Sequence, residues 1–229
     1  MSGRYMPFSS GAVLGRENLA KLEALRNPHA VKIVEKYVEL CRPAKVSVIT
    51  DDPEDIAYVR QLALDTGEER ALRMEGHTVH YDGYHDQARD REHTAVLLPP
   101  GQRLSRGINT VDREAGLREV HELLDGAMEG RELLVRFFCL GPTGSRFSIG
   151  ALQLTDSSYV AHSEDLLYRR GYEHFKKLEG SGFFAFIHSA GELDERNCSK
   201  NIEKRRVYID VIERKVYSVN TSTPGTASG

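Results

Sequence analysis

Two helix starts bracket one buried strand near the N-terminus, and this alternation narrows the possible folds more than any other feature of the chain. Asn27-Pro28 pairs a capping residue with a proline at the first helical position. Val31, Val34, Val38 and Cys41 then recur at three- and four-residue steps, which places them on one helical face. Pro43 ends that helix, and Lys45-Val-Ser-Val-Ile-Thr50 reads as a buried strand. Asp51, Asp52 and Pro53 start a second helix, whose apolar face is Ile56, Val59 and Ala63 and which stops near Gly67. Helix 28–41, strand 45–50 and helix 53–65 make an α/β alternation.

The same reading extends along the chain. Ala95-Val-Leu-Leu98 is a short strand stopped by Pro99-Pro100, and a helix runs from about Asp112 to Ala127 with Leu117, Val120 and Leu124 aligned. Strands over 133–140 and 149–154 flank a loop at Gly141-Pro-Thr-Gly-Ser145, and Ser163 caps a helix to about Leu178. Phe183 to Ile187 has the apolar run of a central strand, and 206–212 with 215–219 read as a hairpin. No internal repeat or linker divides the chain. We therefore expect a single mixed-sheet α/β domain with helices packed on it over residues 16–219, between flexible segments at 1–15 and 220–229.

Charge and cysteine usage exclude several classes. With 31 basic and 34 acidic residues the net charge is −3, so nothing global attracts nucleic acid or an anionic membrane, and any anion site must be local. Cys41, Cys139 and Cys198 are an odd number without a CxxC pair, which suggests neither a disulfide framework nor a zinc site. No window approaches the roughly 18 apolar residues of a membrane span, and the first residues lack an apolar signal core. A reducing, cytoplasmic setting is expected.

Residues 77–94, HTVHYDGYHDQARDREHT, hold the densest polar chemistry. His77, His80 and His85 with Asp82 and Asp86 suggest zinc, but on a strand His77 and His80 point to opposite faces, so hydrogen-bonded or exposed histidines are expected instead and no metal. Gly180-Ser-Gly182-Phe-Phe-Ala185 matches the dinucleotide fingerprint only in letters, because a helix precedes it and a strand follows. Gly141-Pro-Thr-Gly144-Ser-Arg146 lacks the Gly-Lys-Ser/Thr ending of a phosphate loop and reads as a strand connection. The basic run of Lys200, Lys204, Arg205 and Arg206 has no interleaved aromatics and reads as an exposed strand entry. There is no GxSxG elbow. Arg89 stands out, because its planar fork matches a carboxylate with two parallel hydrogen bonds and the turn-like Tyr81 to Asp86 can present it.

Three ordered stretches carry a resemblance: MEGHTVHYDGYHDQARD at 74–90, LGPTGSRFSIGALQLTDSSYVAHSE at 140–164 and HSAGELDERNCSKNIEKRRVYID at 188–210. Over roughly residues 28–220 the chain resembles the N-terminal domain of GTP-type phosphoenolpyruvate carboxykinases, especially their archaeal forms. The resemblance implies the substrate-recognition part of an enzyme of gluconeogenesis that converts oxaloacetate and GTP to phosphoenolpyruvate, GDP and carbon dioxide. It implies that Arg89 grips the substrate carboxylate. It also implies that Glu92, one position displaced from the family pattern, meets the closing lid. The parent enzyme uses GTP with manganese or magnesium, but its phosphate loop and metal ligands lie in a later, C-terminal nucleotide-binding domain. This chain is thus expected to bind oxaloacetate or phosphoenolpyruvate, to contain no catalytic, cofactor or metal site, and to be inert alone. The family continues from about Asn220 into a Gly-Gly-Asn turn, where this chain has a small polar tail. The alternative is a free-standing, non-catalytic binding or interaction module with the same fold. Separation from a large partner predicts apolar exposure on one face.

Overall fold

The computed structural model describes residues 11–83, 90–178 and 180–221. Helix α1 (Gly11–Ala24) is broken at Gly15, whose φ of 69° is not helical. Helix α2 (Pro28–Cys41) starts where Asn27 accepts from the amides of His29 and Ala30, and it ends at Arg42 in the left-handed conformation. Strand β1 (Lys45–Val48) leads to α3 (Pro53–Asp65), capped by Asp52. Two short strands follow, β2 (Arg70–Ala71) and β3 (Thr78–Val79), and then β4 (Thr94–Leu98) and β5 (Thr110–Asp112). Helix α4 (Arg113–Leu124) is capped by Asp112 and precedes β6 (Glu132–Leu140) and β7 (Ile149–Thr155). Next come α5 (Ser158–Leu167), β8 (Arg169–Arg170) and the single turn α6 (Tyr172–Phe175). Strands β9 (Phe183–Ser189), β10 (Arg206–Asp210) and β11 (Lys215–Val219) complete the described fold.

Among the described residues nine strands form one mixed sheet in the order β1-β6-β7-β9-β11-β10-β4-β5, with β8 paired to the side of β6. The single mixed-sheet α/β domain expected from the sequence is what forms. Period-two alternation divides β6 between two layers. Leu133, Val135 and Phe137 join the main core with α1, α2 and α4, while Leu134 joins Ile49, Ile56, Val59 and Ala161 beneath α3 and α5. Edge strand β1 is closed partly by α1, because the Asn18 side chain accepts the Val48 amide at 2.8 Å.

One helix differs from the sequence reading. The segment expected as one helix from Ser163 to about Leu178 is α5, β8 and α6 in succession. Ser157, not Ser163, caps α5, and the chain then extends so that Arg169 and Arg170 pair with Cys139 and Phe138. Gly171 makes this approach possible: a β-carbon there would lie 2.5 Å from the Phe138 carbonyl carbon. The hairpin also turns over four residues, 211–214, with Arg214 at φ 51°.

Candidate functional site

The sheet has one edge rich in polar groups, where the C-terminal ends of β7, β9 and β11 meet the N-terminal ends of β6, β10 and β4. Arg89, His85 and Asp86 lie outside the described residues, but the segment that follows Arg89 is well placed at this edge. Asp90 accepts from the His93 amide at 3.1 Å and from His93 Nδ1 at 2.8 Å. The Asp90 carbonyl takes the Thr94 hydroxyl at 2.5 Å, and the His93 carbonyl takes the Val207 amide at 2.9 Å. Asp90 is thereby tied to the first residues of β4 and β10.

Arg205 is the buried centre of this corner. Its Nη1 stands 3.6 Å from Asp90 Oδ2, and its Nε donates to the Asn220 carbonyl at 3.1 Å. Asn220, at φ 57°, bonds in turn to the carbonyls of Ser189 and Lys204 at 3.0 and 3.1 Å. Burial opposes ionisation of Asp90, but the His93 hydrogen bonds and the Arg205 charge outweigh it and hold the carboxyl below the usual aspartate range. The residue next to Arg89 and the end of β11 therefore share one guanidinium. Glu92, two residues on, is exposed.

Beside this corner His188 is fully enclosed. Its Nε2 can only donate to the Thr221 carbonyl, at 2.8 Å, so its Nδ1 accepts from the Thr155 hydroxyl at 2.7 Å. Burial, the largest influence, lowers its pKa and keeps the ring neutral, as that bonding requires. Asp156 holds the neighbouring loop: its buried carboxylate accepts from Ser189 Oγ and the Ala190 amide at 2.7 and 2.9 Å and pairs with Arg131 at 2.6 Å. Arg131 and Leu193 line two adjoining hollows of about 310 and 490 Å³. The second is also lined by Gly191 and Asn220. The edge is thus a polar rim, held by buried ion pairs and hydrogen bonds, beside two hollows.

The remaining sequence candidates are spread apart. His77 is exposed with Nδ1 3.1 Å from the Glu75 carbonyl, whereas His80 is stacked on Tyr159 at 3.6 Å between centroids and bonded to the Glu68 carbonyl at 2.6 Å. Among the described residues no group of three or more His, Cys, Asp or Glu side chains could hold a metal ion. Residues 180–182 form the turn before β9, with Gly180 at φ 78° and no helix after it. Arg146 lies over the exposed Phe147 ring at 5.0 Å. Of the basic run expected as an exposed strand entry, Arg205 is buried and Arg206 pairs with Glu119 at 2.7 Å. Arg131, Asp156 and His188 were not singled out in the sequence. Asp156 and His188 follow or end apolar strands, and such polar residues at strand ends are the signal that finds them.

A mixed nine-stranded sheet with helices on its faces and a polar rim at one edge defines a single α/β domain. The chain belongs to the family described as phosphoenolpyruvate carboxykinase N-terminal domain, whose model matches residues 32–227. It is 55% identical over 218 residues to "Phosphoenolpyruvate carboxykinase [GTP]" of Thermococcus kodakarensis, covering 95% of this chain and 35% of the relative. The proteins of the same name from Pyrococcus furiosus and Sulfurisphaera tokodaii are 51% and 43% identical, over 95% and 92% of this chain. The chain spans about a third of the length of these curated relatives, 33–35%. No helix among the described residues is long and apolar enough to cross a membrane.

Proposed function

We propose that residues 16–219 are the substrate-recognition domain of a GTP-type phosphoenolpyruvate carboxykinase, in which Arg89 grips a carboxylate of oxaloacetate or phosphoenolpyruvate. The observation that supports this most is the Asp90–Arg205–Asn220 corner, which anchors the residue after Arg89 beside the end of β11. In the whole enzyme, loss of carbon dioxide from oxaloacetate leaves an enolate whose oxygen takes the phosphoryl group of GTP. Arg89 contributes orientation: two parallel hydrogen bonds fix the carboxylate, and with it the angle at which the enolate oxygen meets the phosphoryl group. Exposed Glu92 is the contact for a closing lid.

GTP and the divalent metal belong, in this reading, to the further two-thirds of the relatives' length. The metal supplies charge neutralisation of the transferring phosphoryl group. The described residues offer no fitting ligand set for it, and the sequence has no Gly-Lys-Ser/Thr loop. A half-exposed apolar row supports a partner domain: Phe186, Val216, Ile209 and Val96 stand side by side across β9, β11, β10 and β4. They face away from the main core, while α5 packs farther along on β6 and β7. Central strands of an α/β sheet are ordinarily covered on both faces.

Calorimetric titration of the 229-residue chain with oxalate and phosphoenolpyruvate tests the clamp. Binding is expected in wild type, lost in Arg89→Ala and weakened in Arg89→Lys, which keeps charge but not the fork. Identical isotherms for wild type and Arg89→Ala would remove Arg89 from the mechanism. Turnover of oxaloacetate with GTP and manganese by this chain alone would overturn the assignment of phosphoryl transfer to a separate domain.

A further inference from the structure

At the end of the sheet opposite the polar rim, the turn between β10 and β11 and the start of α2 border an open hollow of about 440 Å³. It is lined by His29, Lys32 and Ile33 of α2, by Ser181 and by residues 212–215 of the turn. The five-residue strands β10 and β11 separate it from Arg205 and Asn220 by on the order of 15 Å. It is therefore separate from the Asp90–Arg205–Asn220 corner.

Among the described residues the charges around this hollow do not balance. Glu213 is the only acidic one of them that lines it, and that carboxylate is already taken by Arg113 at 2.9 Å and by Lys215 at 2.6 Å. Asp210, below it, is also occupied by Arg113. Lys32 and Lys36, one helical turn apart on α2, have no ion-pair partner among the described residues, although Glu35 and Glu39 share their helix. Like charges four residues apart on a helix repel. Lys36 projects over the Tyr37 ring at 5.3 Å, and Lys215 approaches the same ring at 5.8 Å. Arg214, held in the left-handed conformation by the turn, is exposed, and among the described residues its side chain makes one bond, from Nη1 to the Ser181 carbonyl at 3.2 Å.

The consequence reaches the groups beneath. Partial burial first, and then the charge of Lys215, hold the Lys36 ammonium below the usual lysine range. Burial and the same two lysines depress His121, whose enclosed Nε2 has no partner. Lys32, Lys36 and Arg214, exposed and without an ion-pair partner among the described residues, beside a concave space are the electrostatic complement of a compact, highly charged anion.

We propose that this hollow binds a small phosphate-bearing anion, contacted by Lys32 and Arg214 with Lys36 at its margin. Phosphate is favoured over carboxylate because the cations come from two elements, Lys32 as a point charge and Arg214 as a planar fork, and so suit a tetrahedral, multiply charged group better than a single planar carboxylate. The small concave volume and the overall charge of −3 favour a small molecule over a polyanion.

The test is an NMR titration of the isotopically labelled 229-residue chain with inorganic pyrophosphate. It is run on wild type and on Arg89→Ala, so that anion binding at the polar rim is separated from binding here. Saturable shifts are expected at the amides of His29, Lys32, Ile33, Arg214 and Lys215 in both proteins. The doubly substituted Lys32→Glu, Arg214→Glu chain should bind at least roughly tenfold more weakly, while Lys32→Arg, Arg214→Lys retains binding. Acetate at equal ionic strength should give no saturable response. The proposal fails if pyrophosphate shifts only rim residues, 90–94, 188–191, 205 and 220. It also fails if the shifts do not saturate, or if the charge-reversed chain, still folded by its amide spectrum, responds as wild type does.

Discussion

Gly191 lies so close to Asn220 that a β-carbon built on it would stand 2.0 Å from the Asn220 side-chain oxygen. Both residues have positive φ, 68° and 57°, and both line the larger hollow at the polar rim. Gly191→Ala must therefore push Asn220 away and disturb its bonds to Lys204 and Arg205. We expect a loss of about 2–3 kcal/mol in urea unfolding, combining the left-handed backbone cost with the displaced side chain. Unchanged stability would mean that Asn220 has another position open to it.

Asp90 links the rim to pH. Its folded carboxyl pKa lies below the unfolded value, so its stabilising contribution is present above about pH 4 and is lost as pH falls through the folded pKa. Asp90→Asn should be less stable than wild type at about pH 6, and the difference should shrink as the pH is taken below the usual aspartate range and wild-type Asp90 is protonated in turn. Unfolding curves over that pH span read this directly. A constant difference would detach His93 and Arg205 from the effect.

Tyr37 and Tyr217 share one buried hydrogen bond, 3.0 Å between hydroxyl oxygens, across α2 and β11. Burial pushes both hydroxyls up, Tyr217 to about 12, so both stay neutral. Tyr37→Phe or Tyr217→Phe alone should cost about 1–2 kcal/mol by orphaning the other hydroxyl. The double variant should cost less than the sum, with a coupling of about 1 kcal/mol in a double-mutant cycle of thermal unfolding.

Glu68 caps a helix that begins 90 residues later. Its carboxylate accepts from the hydroxyl and amide of Ser158 at 2.7 and 3.1 Å, from the Tyr159 amide at 3.1 Å and from the Ser157 hydroxyl. Glu68→Ala should cost about 1–2 kcal/mol and speed amide exchange at Ser158 and Tyr159. Unaltered exchange there would show that Ser157 caps α5 unaided.

The elements that could be read from the sequence are those whose signals are local. Asn27-Pro28 and Asp52-Pro53 mark two helix starts because a capping side chain and a proline act within one turn. The apolar run at 133–140 marks a strand buried on both faces, that at 183–187 marks a strand buried on one face and half-exposed on the other, and long ordered strings mark the family. The break of the helix expected at 163–178 was not legible. It depends on Gly171 meeting the Phe138 backbone and on Glu68 occupying the α5 start, contacts that bridge tens of residues.

The rim divides in the same way. Arg89 was singled out by side-chain chemistry and resemblance, and the basic run at 204–206 looked like solvated charge. Spacing along the chain specifies propensity, caps and alternation, and these were enough for the fold class of this protein. Which cation is buried is a different kind of fact. Arg205 became the anchor and Arg206 a surface pair because β10 enters between β4 and β11, bringing Asp90 and the Asn220 carbonyl to one side of the strand and Glu119 to the other. A guanidinium's desolvation is offset only where such partners converge, and that convergence is a property of the assembled sheet.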